Sequence, residues 1–414
     1  GLRSDLHLPA GRVISLAECR RLAPELDLEG ASGGALWYDY QMPLAERLTF
    51  AFALAAAAHG AALVNYVEAL APILRDNTVI GVSACDVEGR NETFEIRARV
   101  TLNAAGPWAR TVMAACGFNR DVLLLKAVNL VTSRRASGPA LVQSNPQGRA
   151  LVLAPWQGRG LIGTGESAAS CGPDDRVVGD EELTGFVSEV NRTFPHLNLR
   201  TDEVTMVHRG IVPAVQRNGR LTLRGEAQVL DHTRDGLNGL VTMVSVKYTT
   251  ARLLAERAVD VVVGKLGRPA AASRTSSVPL PGAPAEGSDL VAELLRDHGS
   301  WLESLVAHHL AATHGTGSVA IAALASEDSA LRSPVAPALP VLHAEVVHAA
   351  RHEMARTLVD VVTRRTMLGT AGHPGKTIAR SCADILSREL RWNAARVSAE
   401  LDALQAFYEP VTGP

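Results

Sequence analysis

The stretch Asn103–Trp108, NAAGPW, decides the fold of this chain. It follows ETFEIRARVTL (92–102), whose alternating apolar and polar residues are typical of a β-strand. Two alanines and a glycine leave almost no side chain at the strand's end, which usually means that something large approaches the backbone there. Alone, the stretch fits either a tightly packed helix or a bound cofactor. Motifs elsewhere in the chain decide between the two.

Length and composition indicate a globular chain with a sizeable core. The 414 residues are enough for two domains, and 47% of them are hydrophobic and 20% charged. A formal net charge of −2 gives no reason to expect a nucleic acid partner. The five cysteines form no CxxC pair, so we expect a reducing compartment. The apolar run 48–64 is broken by His59 and Gly60 and is too short to span a bilayer comfortably.

Local patterns predict the order of elements. Ser15 and Glu18 form a capping-box pair that opens a helix, and Pro24 ends it. Alternating runs with Gly, Asp and Pro between them predict a largely antiparallel sheet between residues 126 and 166. A strand then leads into a long helix at 241–267. Residues 267–289 are rich in Pro, Ala, Ser and Gly and predict a linker, and from 290 onward the pattern is helical throughout.

Seven motifs resemble the FAD-dependent glycerol-3-phosphate dehydrogenases, within the D-amino-acid-oxidase-like flavoproteins. They occur in the family's order between about residues 30 and 407: GALWYDYQM…AERL, LNAAGPWA, KAVNLV, APWQGRGLIGTGE, RGIVP, VKYTTARLLAE and EVVHAARHEMARTLVDVVTRRTML. The resemblance implies an α/β (α+β) fold, FAD/NAD(P)-binding-like, with an antiparallel substrate sheet and an all-α C-terminal domain. In this family the AAG strand end lies beside the FAD dinucleotide, where longer side chains would clash.

The resemblance also implies domain boundaries. An FAD-dependent oxidoreductase domain would occupy residues 1–266, with an FAD part at about 60–118 and 210–266. Its substrate part would be at about 1–59 and 119–209. The linker 267–289 and a helical C-terminal domain, 290–414, would follow.

One family feature is missing near the first residue. The family begins with a βαβ unit carrying GxGxxG, whose glycines let the pyrophosphate sit on a helix N-terminus. No such motif lies near residue 1, and ASGGA (31–35) is not followed by a suitable helix. We therefore expect an N-terminally truncated piece that binds FAD poorly. Whether the unit is absent in nature or only from this chain stays open.

The resemblance implies site residues. The expected cofactor-binding residues are Val67, Ala104, Ala105, Gly106, Ile211, Lys247, Thr249 and Thr250. The expected catalytic residues are Lys247, which matches a family lysine beside the flavin, Arg224, which matches a phosphate-binding arginine, and Arg209. His208 and Arg209 are candidates to restore charge that the chain lacks elsewhere.

Departures from the family pattern leave the substrate open. Asn129 replaces the histidine of the family's KGxH motif, and Val212 replaces the arginine of SGVRP. The lost arginine removes a bidentate anion ligand. The family's Gly-Gly before the lysine is Ser245-Val246, and its GTTD motif has Gly165 and Glu166 at its last two positions.

The leading hypothesis is FAD-dependent oxidation of glycerol 3-phosphate to dihydroxyacetone phosphate, with electrons passed to quinone or another acceptor. The resemblance also allows peripheral contact with the inner membrane and a homodimer. One alternative is a diverged oxidoreductase acting on another small hydroxy or amino substrate. Another is a non-catalytic fragment that serves as an interaction module.

Histidines of the C-terminal region do not predict a metal site. In HEMAR (352–356) Arg356 stands where a zinc-binding HExxH motif has its second histidine. His348 and His352 are spaced for one helix face without a third ligand in view, and His308 and His309 are similar. We expect all four to be exposed helix histidines.

Overall fold

A computed structural model describes residues 7–24, 26–118, 122–136, 138–145, 148–269, 271–337 and 339–409. The strands of these ranges are β1 (Arg12–Ser15), β2 (Gly33–Leu36), β3 (Val67–Arg75), β4 (Thr78–Asp86), β5 (Thr93–Arg97), β6 (Thr101–Asn103), β7 (Leu124–Thr132), β8 (Leu141–Ser144), β9 (Ala150–Trp156), β10 (Arg159–Glu166), β11 (Val204–Arg217), β12 (Arg220–Leu223), β13 (Gln228–Asp231), β14 (Leu240–Val244), β15 (Pro334–Ala336) and β16 (Leu339–Leu342).

The α-helices are α1 (Leu16–Leu22), α2 (Ala45–Ala58), α3 (Ala109–Ala115), α4 (Asp180–Thr193), α5 (Ala251–Lys265), α6 (Leu290–His298), α7 (Ser304–His314), α8 (Ser318–Glu327), α9 (His343–His352), α10 (Lys376–Leu390) and α11 (Ala394–Tyr408). The predicted start of the first helix is confirmed, since the Ser15 side chain accepts a hydrogen bond from the Glu18 amide. The described residues between α5 and α6 contain no helix or strand.

The largest sheet is antiparallel throughout, as the sequence predicts. Its strand order is β12-β11-β7-β10-β9-β8. Helix α4 packs Phe186 and Val190 against Val128 and other buried residues on one face. A Cβ at Gly165 would lie 2.8 Å from Val128 and 2.9 Å from Phe186, so the helix approaches the sheet too closely for any larger residue there. The opposite face and one end of this sheet are left for the candidate site.

A second sheet has the strand order β13-β14-β6, with β14 and β6 parallel. Helix α3 follows β6, and α5 follows β14 after the short turn Tyr248–Thr250. Ile211 of β11 is buried in one cluster with Met113 of α3 and Val244 of β14. This cluster joins the end of the large sheet to the parallel strands.

The helical part, residues 290–409, holds two further cores formed by α6–α8 and by α9–α11. The prediction that it is helical throughout was wrong at two places. Strands β15 and β16 form a short antiparallel hairpin, whose prolines Pro334 and Pro340 disfavour a continuous helix. The predicted helix over 340–368 also ends at His352, because Met354 adopts a left-handed backbone with φ of 57°.

Polar contacts join the helical part to the rest of the chain. The Tyr66 hydroxyl donates to Asp360 at 2.7 Å, and Arg396 donates to Glu88 at 2.8 Å. Tyr66 directly precedes β3, and Glu88 lies in the turn between β4 and β5. Within the described ranges, no helix is long and apolar enough to cross a membrane.

Candidate functional site

The parallel strands β6 and β14 end side by side at one edge of their sheet. Their register pairs Asn103 with Thr242, so the residues that follow each strand leave the sheet at neighbouring points. Six of the predicted cofactor-binding residues lie in the two segments that follow, and all six are exposed: Ala104, Ala105, Gly106, Lys247, Thr249 and Thr250. The strand pairing therefore brings the two segments that carry them to the same edge of the sheet. Ligands of open α/β sheets bind outside the carboxyl ends of the strands in this way.

A buried hydrogen-bond network holds the two strand ends. The Asn103 side-chain amide donates to the Ala109 carbonyl at 3.0 Å and to Thr242 Oγ1 at 3.3 Å. Asn103 Oδ1 accepts from the Ala105 amide at 3.3 Å, which fixes the first turn of the AAG segment. His232 Nε2 lies 2.9 Å from Thr242 Oγ1. Sequence reasoning missed this network, because nothing local in the sequence shows that residues 103, 232 and 242 meet.

The N-terminus of α5 follows β14 through the short turn Tyr248–Thr250, and the Ala251 amide donates to the Tyr248 carbonyl. Thr250 precedes the 15-residue helix and makes no side-chain capping bond, so the first-turn amides have no side-chain acceptor there. Such a terminus carries a partial positive charge that favours an anion or a polarised carbonyl. With the exposed small residues of 104–106 beside it, this edge fits one wall of a dinucleotide cofactor site.

Two other predicted cofactor residues lie at the margins of this edge. Ile211 is buried against Met113 and Val244, so it supports the junction from below. The turn Gly106–Trp108 packs against β11, next to this junction. Val67 begins β3, which packs against α3 rather than against the strand ends themselves.

The GxGxxG spacing does occur once, in GRGLIG, residues 158–163. In the structure these residues form the turn and the first part of β10 in the β9–β10 hairpin. No helix follows them, so they cannot place a phosphate at a helix N-terminus as the dinucleotide motif does.

Arg224 directly follows β12 and lies beside the second half of β11. Its amide donates to the Pro213 carbonyl at 3.0 Å. The Nε of Arg224 is buried and has no hydrogen-bond partner among the described residues. A buried unpaired guanidinium nitrogen is costly, and a bound anion would satisfy it.

The strand register puts Asn129 and Val212 on one face of the large sheet, since Val212 pairs with Leu125 and alternate residues share a face. Asn129 Oδ1 accepts a hydrogen bond from the Thr164 hydroxyl at 3.1 Å. Asn129 and Val212 stand where the matching motifs have a histidine and an arginine. Both therefore lie on the same face of the sheet.

Glu166 ends β10 and is half-buried. Burial raises the pKa of its carboxyl, while the charge of Arg149 and a hydrogen bond from the Leu223 amide oppose the rise. Leu223 directly precedes Arg224, so Glu166 lies close to that arginine's backbone. A carboxyl with a raised pKa near a cation is a candidate acid or base. The sequence showed Glu166 only as a departure from GTTD.

Arg209 lies apart from these residues. Arg209 pairs with Val128 of β7, and α4 packs against Val128. Arg209 therefore faces the side of the sheet that α4 covers, opposite to Val212. Its Nη2 donates weakly to the Phe407 carbonyl at 3.4 Å. Burial, and then the positive charge of Arg176, lower its pKa. The described hydrogen bond of the Arg209 side chain thus goes to the helical part, not to Arg224 or Lys247.

Comparison with known proteins identifies the family. Residues 2–242 match the model described as FAD dependent oxidoreductase, and residues 273–397 match the C-terminal domain of alpha-glycerophosphate oxidase. A glycerol-3-phosphate dehydrogenase of Synechocystis sp. is 30% identical over 99% of this chain and 77% of its own length. The chain belongs to the family of FAD-dependent glycerol-3-phosphate dehydrogenases. These are oxidoreductases, and FAD is the family's cofactor.

Other members of this family agree with the assignment. The mitochondrial glycerol-3-phosphate dehydrogenase of Bos taurus is 27% identical over 97% of this chain, which spans 56% of that relative's length. The solved structure of the Bacillus halodurans enzyme, complexed with FAD, superposes with a TM-score of 0.78 over 97% of this chain and 80% of that one, at 22% identity. The predicted flavoprotein fold with its antiparallel sheet and helical C-terminal region is thereby confirmed.

The helical part of this family member contains buried histidines that the sequence did not predict. His309 and His314 both lie against the fully buried Glu345, at 3.0 and 2.8 Å, and His348 is also buried. The expectation of exposure was wrong for His309 and His348, because their helices pack around a carboxylate that needs partners. Within the part of the chain that the structure describes, no group of three or more His, Cys, Asp and Glu is arranged to hold a metal ion.

Proposed function

We propose that this chain oxidises glycerol 3-phosphate to dihydroxyacetone phosphate. The hydrogen on the carbinol carbon leaves with both bonding electrons as a hydride, and the hydroxyl proton passes separately to a base, so the substrate loses two electrons and two protons in all. When bound, FAD supplies the hydride acceptor. The protein's own residues must hold the phosphate, orient the carbon and take the proton.

The buried unpartnered Nε of Arg224 is the observation that carries this proposal. A substrate phosphate would give that nitrogen the anionic partner it lacks, through a charge-assisted hydrogen bond. Arg224 directly follows β12, and its amide bonds Pro213 of β11. Ile211, two residues earlier on β11, belongs to the cluster that joins the large sheet to the parallel strands. We therefore assign to it the binding of the substrate phosphate.

We assign Lys247 a position between cofactor and substrate. It lies three residues after the end of β14 and directly before the turn that leads into α5, where its exposed ammonium adds to the positive end of the helix. With Thr249 and Thr250 it would hold the electron-rich side of the cofactor, and with Ala104, Ala105 and Gly106 it would leave room for it. Val67 and Ile211 would support the same site from β3 and β11.

Glu166 is our candidate for the base. Its raised pKa favours proton uptake at a pH closer to neutrality than an ordinary carboxylate would allow. The Leu223 amide holds one side of the carboxylate, so its position is tied to the segment that carries Arg224.

A second candidate, oxidation of another small hydroxy or amino substrate, is favoured by Asn129 and Val212. They share a face of the sheet and place no charge where the family has a histidine and an arginine. If this candidate is right, the double variant Asn129→His/Val212→Arg should gain activity on glycerol 3-phosphate that the natural chain lacks. No gain would leave it without its main support.

The family resemblance alone supports our proposals for the electron acceptor, the location and the oligomeric state. Electrons would pass to quinone or another acceptor. The protein would be cytoplasmic, with peripheral contact at the inner membrane, and would form a homodimer.

The test is dye reduction with saturating FAD and glycerol 3-phosphate, compared with other small hydroxy and amino compounds. We expect the artificial electron-accepting dye to bleach with glycerol 3-phosphate, and Arg224→Met to raise KM more than it lowers kcat. Bleaching only with another compound would support the second candidate. No bleaching with any compound, despite bound FAD, would support the non-catalytic alternative.

A further inference from the structure

A cavity of about 410 Å³ lies between the large sheet and the helical part. Its walls are the first half of β11, the segment leading into α4, the stretch Thr363–Arg364 and the end of α11. Its volume is within the range of about 300–1,000 Å³ that small-molecule pockets occupy. None of the residues assigned above to FAD or to the substrate phosphate lines it.

The charge of this cavity is unbalanced. Arg176, Arg209 and Arg364 line it, whereas Glu46 is the one carboxylate among its described lining residues. Arg364 is matched by Asp360 at 2.7 Å. Neither Arg176 nor Arg209 forms an ion pair with any described residue, and the two are close enough for Arg176 to depress the pKa of Arg209. Two arginines that line one cavity without an ion-paired carboxylate favour the binding of an anion.

The remaining wall is apolar and firmly held. Trp156, Leu183 and Phe407 line it. The Trp156 ring meets the His208 ring edge-on at 5.2 Å, and His208 Nε2 lies 3.2 Å from the Thr370 carbonyl. The Tyr408 hydroxyl donates to the Gly369 carbonyl at 2.7 Å. A ligand with an apolar portion could pack here without moving these groups.

We propose that this cavity binds an amphipathic organic phosphate, with its phosphate between Arg176 and Arg209 and its apolar portion against Trp156 and Phe407. Phosphate suits two guanidinium forks better than a single carboxylate does, because it offers more oxygens and up to two negative charges. The ligand is either a soluble aromatic phosphate or the headgroup end of a single-chain lipid. The site is separate from the proposed substrate site and requires no catalysis.

The test is calorimetric titration of the folded chain with phenyl phosphate, octyl phosphate and inorganic phosphate. We expect saturable binding of at least one organic phosphate, and weaker binding of inorganic phosphate. Tighter binding of octyl phosphate indicates a lipid, and tighter binding of phenyl phosphate indicates a soluble ligand. Arg209→Met and Arg176→Met should each weaken binding roughly tenfold to a hundredfold, the effect of losing one charged hydrogen bond.

Two controls keep the result specific. Arg268→Met removes an exposed arginine elsewhere and should leave the affinity unchanged. Arg224→Met should also leave it unchanged, since that residue belongs to the proposed substrate site. Arg176 is exposed, so its variant should fold even if Arg209→Met does not. The proposal would be overturned if no organic phosphate bound saturably, or if Arg224→Met were the one variant that lost binding. It would also be overturned if octyl glucoside, which has the same alkyl chain without a phosphate, bound as tightly as octyl phosphate.

Discussion

Arg47 Nη1 lies 2.6 Å from Glu353 Oε2, and this largely buried ion pair joins α2 to the helical part of the chain. The pair belongs to a larger network. Glu353 also faces His314 at 3.7 Å and His348 at 3.6 Å, and His314 in turn bonds Glu345. The contact therefore ties α2 to charges deep within the helical core.

Removing the Arg47 charge should destabilise the fold. Arg47→Met leaves Glu353 without its cation in a buried setting, which typically costs about 3–5 kcal/mol. Chemical denaturation monitored by circular dichroism measures the free energy of unfolding. The exposed pair of Arg351 and Glu389 provides the control, since Arg351→Met should cost no more than about 1 kcal/mol. Equal losses of unfolding free energy in Arg47→Met and Arg351→Met would contradict a special role of the Arg47–Glu353 pair.

Acid should weaken the same network. Burial alone would raise the pKa of Glu345, but hydrogen bonds from His309 and His314 outweigh it and hold the pKa at about 2. Its folded pKa thus lies below the ordinary value of 4.5, so the stability that it contributes is present above 4.5 and lost as pH falls toward 2. Glu353 behaves in the same way, with Arg47 and His314 holding its pKa at about 2 against burial.

His314 limits stability from the alkaline side. Burial lowers its pKa, but its bonds to Glu345 and Glu353 raise it overall above the ordinary 6.5. The stability that His314 contributes is present below pH 6.5 and lost as pH rises through its folded pKa.

The acid effect can be tested on Glu345. The free energy of unfolding of Glu345→Gln should depend less on pH between 4.5 and 2 than that of the natural chain. An unchanged acid profile would show that Glu345 is not the group responsible, and Glu286→Gln in the exposed linker is the control.

The Asn103 network should stabilise the cofactor edge cooperatively. Asn103→Leu leaves the Ala109 carbonyl and Thr242 Oγ1 short of a donor, which should cost about 1–3 kcal/mol. Thr242→Val removes the other partner of the same bond. A double-mutant cycle by thermal denaturation should therefore give less than the sum of the single losses, and strict additivity would contradict direct coupling.

Lys247 should affect function without affecting stability. It is exposed, so Lys247→Met should change the melting temperature little. Dye reduction by glycerol 3-phosphate with saturating FAD should nevertheless fall by about tenfold or more if its charge acts at the reacting centre. Lys376→Met, which alters an exposed lysine at the start of α10, is the matched control and should retain activity. Equal activity in both variants would exclude the role assigned to Lys247.

Elements with strong local signals could be predicted from the sequence. The Ser15 cap, the linker composition and the strand-to-helix passage from β14 to α5 each depend on neighbouring residues alone. The motif of the small residues 104–106 and the motif of Lys247 and Thr250 occur in order with five others. The sequence therefore predicts one cofactor site for them, and this stays a prediction.

Features that depend on distant packing could not be predicted. The partners of His309 and His348 come from other helices, so their burial has no local signature. The face on which Arg209 lies depends on the register of β11 with β7, which a single sequence does not reveal. The hairpin of β15 and β16 interrupts an apolar pattern that is otherwise helical, and short apolar runs do not distinguish the two structures.

An FAD titration followed by flavin fluorescence tests the proposed cofactor site most directly. It compares the natural chain with two variants in which an alanine is replaced by leucine. Ala105 and Ala114 are both exposed, but only Ala105 lies at the edge where β6 and β14 end. We predict weak, saturable binding that Ala105→Leu reduces at least roughly tenfold, the loss expected from a steric clash of about 1.4 kcal/mol or more, while Ala114→Leu leaves it unchanged. Equal binding by Ala105→Leu and the natural chain would contradict a cofactor site at this edge.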